Sequence, residues 1–339
     1  MKNKKILVCM LVIMTAILAL QFKQMMDINK LKINNNNEIR QFVNSPDKLS
    51  ISSAYGDHQA YHPKVLYFAD GWNGYKYWMA FTPYPYADSA KENPHIVVSN
   101  DMINWTEKKG YTNPLDEPKE TANGKKYNSD SHLVYNDDTK ELECWWRFVD
   151  DINDNVKIYR KTTKDGINWT NKEEIISAKR SKEDYLSPAI IYEDGLYKMW
   201  YVFECNVFYQ QSNDLKNWTE KSNMNIEYND SVKSWHLDVI HSNDKYEMIL
   251  VAFTNWEERT KMNLYYTESS DNKNWSIAKT ILTPTTNTNN WDNSGLYRSS
   301  ILHIDDKYYI FYSGQGTNNA KGIGLVSGDD VFNLRTVEY

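Results

Sequence analysis

Ser212-Asn-Asp214-Leu-Lys-Asn217-Trp218 is the stretch that decides the fold, because it recurs along the chain. Ser99-Asn-Asp101-Met-Ile-Asn104-Trp105 and Thr163-Lys-Asp165-Gly-Ile-Asn168-Trp169 precede it, and Ser269-Ser-Asp271-Asn-Lys-Asn274-Trp275 follows. A degraded copy, Ser327-Gly-Asp329-Asp-Val-Phe332, closes the series. Their first residues are spaced by 64, 49, 57 and 58 positions. A period of this size marks a repeat architecture in which no unit can bury its apolar face alone. Short polar residues that tolerate turn geometry, followed by a large aromatic, make a strand–turn–strand device with the indole pinned beneath it. Five units imply five blades.

Upstream of each copy stands a second marker, in which an apolar run, an acidic or glycine turn and an aromatic-rich run follow one another. Ala189 to Tyr192, Glu193-Asp194-Gly195 and Leu196 to Val202 form one such set. Val239 to His241 with Lys245 to Leu250, and Ile301 to Ile304 with Lys307 to Tyr312, form two more. Val65 to Phe68 with Tyr75 to Phe81, and Leu133 to Tyr135 with Leu142 to Phe148, complete the five. Two β-rich runs joined by a short polar turn read as a hairpin. No convincing helical period occurs after residue 50. We therefore expect an all-β, five-bladed β-propeller of four-stranded antiparallel blades.

Aromatic residues make up 14% of the 339 residues, with 25 Tyr and 12 Trp, and the four Trp of the repeated turn are expected to be structural. The Asn-Trp-Thr/Ser triplets of those turns match a glycosylation acceptor but already have a structural explanation. The formal net charge of −6 without a basic stripe gives no basis for nucleic-acid binding. Three cysteines (Cys9, Cys144 and Cys205) give neither a disulfide framework nor zinc spacing. Cys144 and Cys205 lie in neighbouring blades, where free thiols are favoured over a pair.

The N-terminus reads separately. Lys2, Lys4 and Lys5 precede an apolar run from Ile6 to Phe22, the layout of a signal peptide or signal anchor. Its 17 residues sit at the lower limit for a membrane span, and no small-x-small cleavage pattern precedes Ala19, which favours an uncleaved anchor. The expected organisation is a signal or anchor helix over 1–24, a polar stalk over 25–49 and the propeller over 50–339. The propeller would then be secreted or held at the extracellular face of the membrane.

The phrase at 212–218 and the opening Ser187-Pro188-Ala-Ile-Ile-Tyr-Glu-Asp-Gly195 resemble the five-bladed glycoside hydrolases, the arabinanase, xylosidase and fructosidase group of families 43, 32 and 68. The resemblance spans roughly residues 55 to 335 and implies carboxylates at the propeller axis: a base or nucleophile from blade one, a pKa modulator from blade two and an acid from blade three. Aligning the blade openings puts His62, Asp130, Ser187, His236 and Arg298 at the mouth of the innermost strands. Two residues on, facing the same way by strand alternation, come Lys64 or Val65, His132, Ala189, Asp238 and Ser300. Where the family pattern has an Asp before the blade-one Pro stands His62, and where it has the blade-three Glu stands Leu186. Asp130 alone keeps its place.

The expected catalytic residues are therefore Asp130, with Glu204 as a proton donor at the end of an apolar strand, and Asp238 beside His236. His62, His132, His236 and Arg298 would bind a sugar, with Trp235, Tyr297 and Trp256 as stacking rings. No cofactor is required, although the histidines and aspartates at the axis could hold a structural divalent cation. Two functions remain open: a glycoside hydrolase acting on an oligo- or polysaccharide, and an inactive propeller that binds a surface or capsular polysaccharide.

Overall fold

The computed structural model describes residues 44–119 and 124–337. The expected signal or anchor helix lies outside these residues. Among the described residues no helix is long and apolar enough to cross a membrane.

Five antiparallel sheets make up the described residues. Their innermost strands are Ala60–Trp72, Lys126–Asn136, Leu186–Glu193, Lys233–Ser242 and Gly295–Ile304. Each of these touches the innermost strand of the next blade, and the fifth touches the first, so the five close into a ring. Each pairs with a second strand, Tyr75–Pro83, Glu141–Asp150, Leu196–Phe203, Lys245–Phe253 or Lys307–Gln315, through a tight turn. Blades two to five have four strands each. The first has three, ending with His95–Ser99, and a single bridge between Val98 and Thr106 replaces the expected fourth strand. The chain there turns at Lys108–Tyr111 and returns to bond Leu115 N–H to the Pro94 carbonyl, so no further pairing develops.

The repeated turn acts as the sequence suggests. Asp101 Oδ1 accepts the backbone N–H groups of Ile103 (2.9 Å) and Asn104 (2.8 Å), while its Oδ2 accepts the Asn104 amide (2.8 Å). Asp165, Asp214 and Asp271 repeat this arrangement. The residue after each Asp is left-handed: Met102 (φ 69°), Gly166 (φ 70°), Leu215 (φ 63°) and Asn272 (φ 56°). The aspartate thus serves as a side-chain substitute for turn hydrogen bonds.

The indole that follows fills the space between two blades. Trp105 packs in the cluster joining blades five and one, and Trp169 in that of blades one and two. Trp218 and Trp275 do the same for blades two and three and blades three and four. Phe332 of the degraded copy sits in the cluster of blades four and five, its ring 5.7 Å from Tyr266. Five aromatic wedges at five interfaces explain why the motif repeats. Truncating one to alanine would cost about 3–5 kcal/mol.

Residues 44–49, read from the sequence as part of the stalk, pack on the propeller. Leu49 N–H donates to the Ile323 carbonyl (2.8 Å), and Leu49 and Ile51 enter the cluster between blades five and one. Cys144 and Cys205 are free thiols, the first buried.

Candidate functional site

At the mouth of the axis every innermost strand carries one extra residue against its partner. The register shifts fall between Tyr61 and Lys64, Ser129 and His132, Leu186 and Ala189, Ser234 and His236, and Tyr297 and Ser300. A bulge re-aims a side chain that regular alternation would place elsewhere. Three of the re-aimed residues, His62 (φ 53°), Asp130 (φ 52°) and Ser187 (φ 54°), are left-handed without being glycine. Such a conformation costs about 1–2 kcal/mol per residue, and strain of this kind concentrates at functional sites.

Asp130 lies at the centre and is buried. Its Oδ2 accepts the Ser187 N–H (3.2 Å) and the Ser129 hydroxyl (3.4 Å). Its Oδ1 has no hydrogen-bond partner, with His236 Nδ1 at 3.4 Å. Burial pushes this carboxyl up, but His236, Arg298 and His62 outweigh it and hold Asp130 well below the usual carboxylate range. Burial in turn keeps the His236 imidazole below its ordinary value against the pull of Asp130.

His62 completes the opening. Its ring lies 5.8 Å from that of His236, and Tyr297 packs 5.1 Å from one and 4.3 Å from the other. His62 Nδ1 is 2.6 Å from the Thr82 hydroxyl and 3.5 Å from Glu92 Oε1. Burial, with Asp130 adding to it, raises the Glu92 carboxyl well above its ordinary value. Lys321 Nζ stands 5.6 Å from the ring centres of Tyr61 and Tyr84, and burial lowers its pKa to about 8. His62 Nε2, both nitrogens of His236 and the Tyr61 hydroxyl are buried and unpartnered, like Asp130 Oδ1. Buried polar atoms normally find partners, and their concentration here marks the axial mouth, or recess, as the candidate site for a polar ligand.

Comparison with known proteins places this geometry. No family model matches the chain. An A type blood N-acetyl-alpha-D-galactosamine deacetylase of Flavonifractor plautii is 27% identical over 333 residues, covering 82% of this chain and 43% of that protein. The chain thus spans less than half of the relative's length. Among solved structures, an N-acetylgalactosamine deacetylase from F. plautii, in complex with blood group B trisaccharide, superposes with a TM-score of 0.74 at 23% identity, over 85% of this chain and 95% of that one. A Cellvibrio cellulosa alpha-L-arabinanase complexed with arabinohexaose gives a TM-score of 0.57 at 14% identity, over 79% and 91%. In fold, the chain is a five-bladed β-propeller like these proteins.

The remaining expected residues fall into two groups, and neither joins the recess as a reacting carboxylate. His132, Arg298 and Asp238 line the axis more deeply and are occupied in bridging blades. Lys64 Nζ donates to Asp238 Oδ1 (2.7 Å), and Ile301 N–H donates to its Oδ2 (3.1 Å). Asp238 therefore neither orients His236 nor offers a free oxygen. Arg298 donates to the carbonyls of Ser131 (2.7 Å) and Pro188 (3.0 Å) and to His132 Nδ1 (3.1 Å). That contact makes Nδ1 the acceptor, so the His132 hydrogen sits on Nε2 and meets the Ile190 carbonyl at 2.9 Å. Instead of holding sugar hydroxyls, these groups tie the ring together.

Glu204 is the larger correction. It is exposed at the turn between Leu196–Phe203 and Asn206–Ser212, where it (φ 48°) and Cys205 (φ 61°) reverse the chain. The apolar strand ends one residue before it, so the carboxylate meets water. Trp235, Trp256 and Glu204 line a separate cleft of about 1080 Å³ beside the recess. Trp235 Nε1–H donates to the Tyr297 hydroxyl (3.1 Å), joining the two.

Glu92, Tyr61 and Lys321 escaped the sequence reading. Glu92 ends a short 3-10 turn, Ser89–Lys91, in the long connection between the second and third strands of blade one; blade four alone among the others has a connection of similar kind, with the 3-10 turn Trp256–Glu258. The extra length of that connection was the available signal. Among the described residues no group of three or more His, Cys, Asp or Glu converges in metal-ligand geometry.

Proposed function

We propose that the propeller is a carbohydrate-directed hydrolase whose reacting centre is the axial recess, and that it cleaves the acetamido C–N bond of an N-acetylated amino sugar. The observation that carries this reading is the opposition of two buried carboxyls, Asp130 pushed below the usual carboxylate range and Glu92 pushed above it, with His62 Nε2 and both His236 nitrogens left unpartnered beside them. Environments that push two titratable groups apart in this way mark a base and an acid. The named activity of the F. plautii relative supports the choice of bond.

In this mechanism Asp130, through His236, takes a proton from water as the water oxygen adds to the acyl carbon. The oxyanion meets the Tyr61 hydroxyl and His62 Nε2–H, which carries the hydrogen when the Thr82 hydroxyl donates to Nδ1. Collapse breaks the C–N bond as Glu92 protonates the departing amine. The proton held by the Asp130–His236 pair then resets Glu92, and acetate and the free amino sugar leave. The apolar segment ahead of the propeller would place this chemistry outside the cell, a reading checked by fractionation of the native protein.

Glycosidic cleavage is the second reading, because Asp130 and Glu92 could serve it as base and acid and solved arabinanases share the fold. One incubation separates the two. With N-acetylated oligosaccharides the first reading gives acetate and no new reducing ends, and the second gives reducing ends and no acetate. Tight binding with neither product would leave a glycan-binding propeller.

A further inference from the structure

The cleft beside the recess is lined by different residues from those of the reacting centre. It crosses the mouth face over blades two, three and four, along the turn at Asp151–Asp154, the link through Arg180 and Asp184, the Glu204 turn and the link from Asn223 to Trp235. Its volume of about 1080 Å³ exceeds what a single sugar needs. Trp256 stands at its edge, 50% exposed, with its ring perpendicular to Trp235 at a centroid distance of 5.8 Å. A half-exposed indole braced by another ring offers a flat apolar face to a sugar. Trp235 is shared with the rim of the recess through Tyr297, so a chain leaving the recess would enter the cleft directly.

The charge on its walls narrows the occupant. Five carboxylates face two cationic side chains, Arg180 and Lys233. Arg180 is already committed to Asp151 and Asp184, and Asp154 accepts the Ser181 N–H and hydroxyl. Glu204 and Glu227 are exposed, and among the described residues no ion pair or side-chain hydrogen bond engages either carboxylate. A surface of this sign repels acidic polysaccharides and attracts cationic chains.

We infer that the cleft holds the continuation of a polymeric substrate whose neighbouring residues carry free amino groups, so that the protein works along a partly de-N-acetylated amino-sugar chain. The inference rests on the proposed N-deacetylation and deepens it. Hydrolysis turns a neutral acetamide into an ammonium group, and the acidic cleft then retains the product end of the chain beside the recess. The substrate class is thereby an oligomer or polymer of amino sugars, and a terminal monosaccharide fills less than half of the site.

Calorimetric titration of the intact protein with two probes tests this. The probes are a tetramer of β-1,4-linked glucosamine and its fully N-acetylated counterpart, each at low and high salt. The amine tetramer should bind at least tenfold more tightly at low salt, with the advantage shrinking as salt screens the charges. The double variant E204Q/E227Q should lose about tenfold for the amine tetramer and leave the acetylated one unaffected, whereas W256A should weaken both. Equal binding of the two tetramers, or unchanged binding by the double variant, overturns the inference. Acetate release from the acetylated tetramer is read in parallel. Charge-dependent binding without acetate release defeats the N-deacetylase reading alone, and acetate release without charge-dependent binding defeats the cleft inference alone.

Discussion

Two regions of this propeller bury carboxylates, and they treat them in opposite ways. Between blades, Glu247 Oε1 accepts the hydroxyls of Tyr266 (2.6 Å) and Tyr308 (2.7 Å), while its Oε2 takes the Ser242 hydroxyl (2.5 Å) and faces His303 Nδ1 (2.8 Å). Glu143 is served likewise by Arg160, Tyr197 and the Trp145 indole N–H. Tyr308 and Tyr197 come from the next blade in the ring, so each carboxylate clasps two sheets together. At the axial mouth Asp130 Oδ1, His62 Nε2, both His236 nitrogens and the Tyr61 hydroxyl have no such partners. Each unsatisfied buried group costs about 1–3 kcal/mol. The clasps spend carboxylates on cohesion, and the recess keeps its donors and acceptors available for a ligand.

The largest expected effect separates the two regions by function. Asp130→Asn should lower the rate of acetate release by about a thousandfold or more, equivalent to at least ~4 kcal/mol of barrier, because an amide cannot take the proton from water. Its unfolding midpoint in urea should stay close to wild type, since the amide oxygen can still accept the Ser187 N–H. A variant that unfolds before it loses activity would move Asp130 to the clasp side of the comparison.

Glu247→Ala should do the reverse. Removing a carboxylate that satisfies Ser242, Tyr266, Tyr308 and His303 leaves those buried groups unpaired, at a cost of about 3 kcal/mol or more in stability. The folded variant should retain its turnover, as read by denaturant unfolding beside the acetate assay.

Lys321 sharpens the electrostatics of the recess. With its pKa lowered to about 8 by burial, the ammonium loses its charge above that pH, and turnover should fall on the alkaline side with a limb near 8. Lys321→Met should be slower at pH 7 and show no such limb. The stability linkage runs in the other direction. The ordinary lysine value of 10.5 applies to the unfolded chain, so between about pH 8 and 10.5 the unfolded state binds more protons, and wild-type stability should rise with pH across that window relative to Lys321→Met.

The sequence revealed what repeats. The Asp–Asn–Trp turn recurs because every interface needs a wedge, and the blade openings aligned on it brought His62, Asp130 and His236 to one mouth. Features that belong to one blade stayed hidden. Glu92 sits on an irregular connection outside the repeated hairpins, and Lys321 becomes part of the recess only when blade five closes against blade one. Glu204 was misplaced because Trp200 to Phe203 reads as a strand that continues, whereas the chain turns at Glu204 and Cys205 in two left-handed steps. Asp238 was misread because a polar residue on the inner face looks the same in sequence whether it awaits a ligand or answers a lysine across the axis.

The central claim is that the unpartnered atoms at the mouth are a binding site for an acetamido sugar. The most direct measurement is a crystal structure of Asp130→Asn soaked with an N-acetylated amino-sugar oligomer. The account predicts an acetamido group in the recess, its carbonyl oxygen within hydrogen-bond reach of the Tyr61 hydroxyl and His62 Nε2, and its nitrogen facing Glu92. An oligomer bound with its glycosidic oxygen in that place, or bound away from the axis with the recess filled by water, would contradict it.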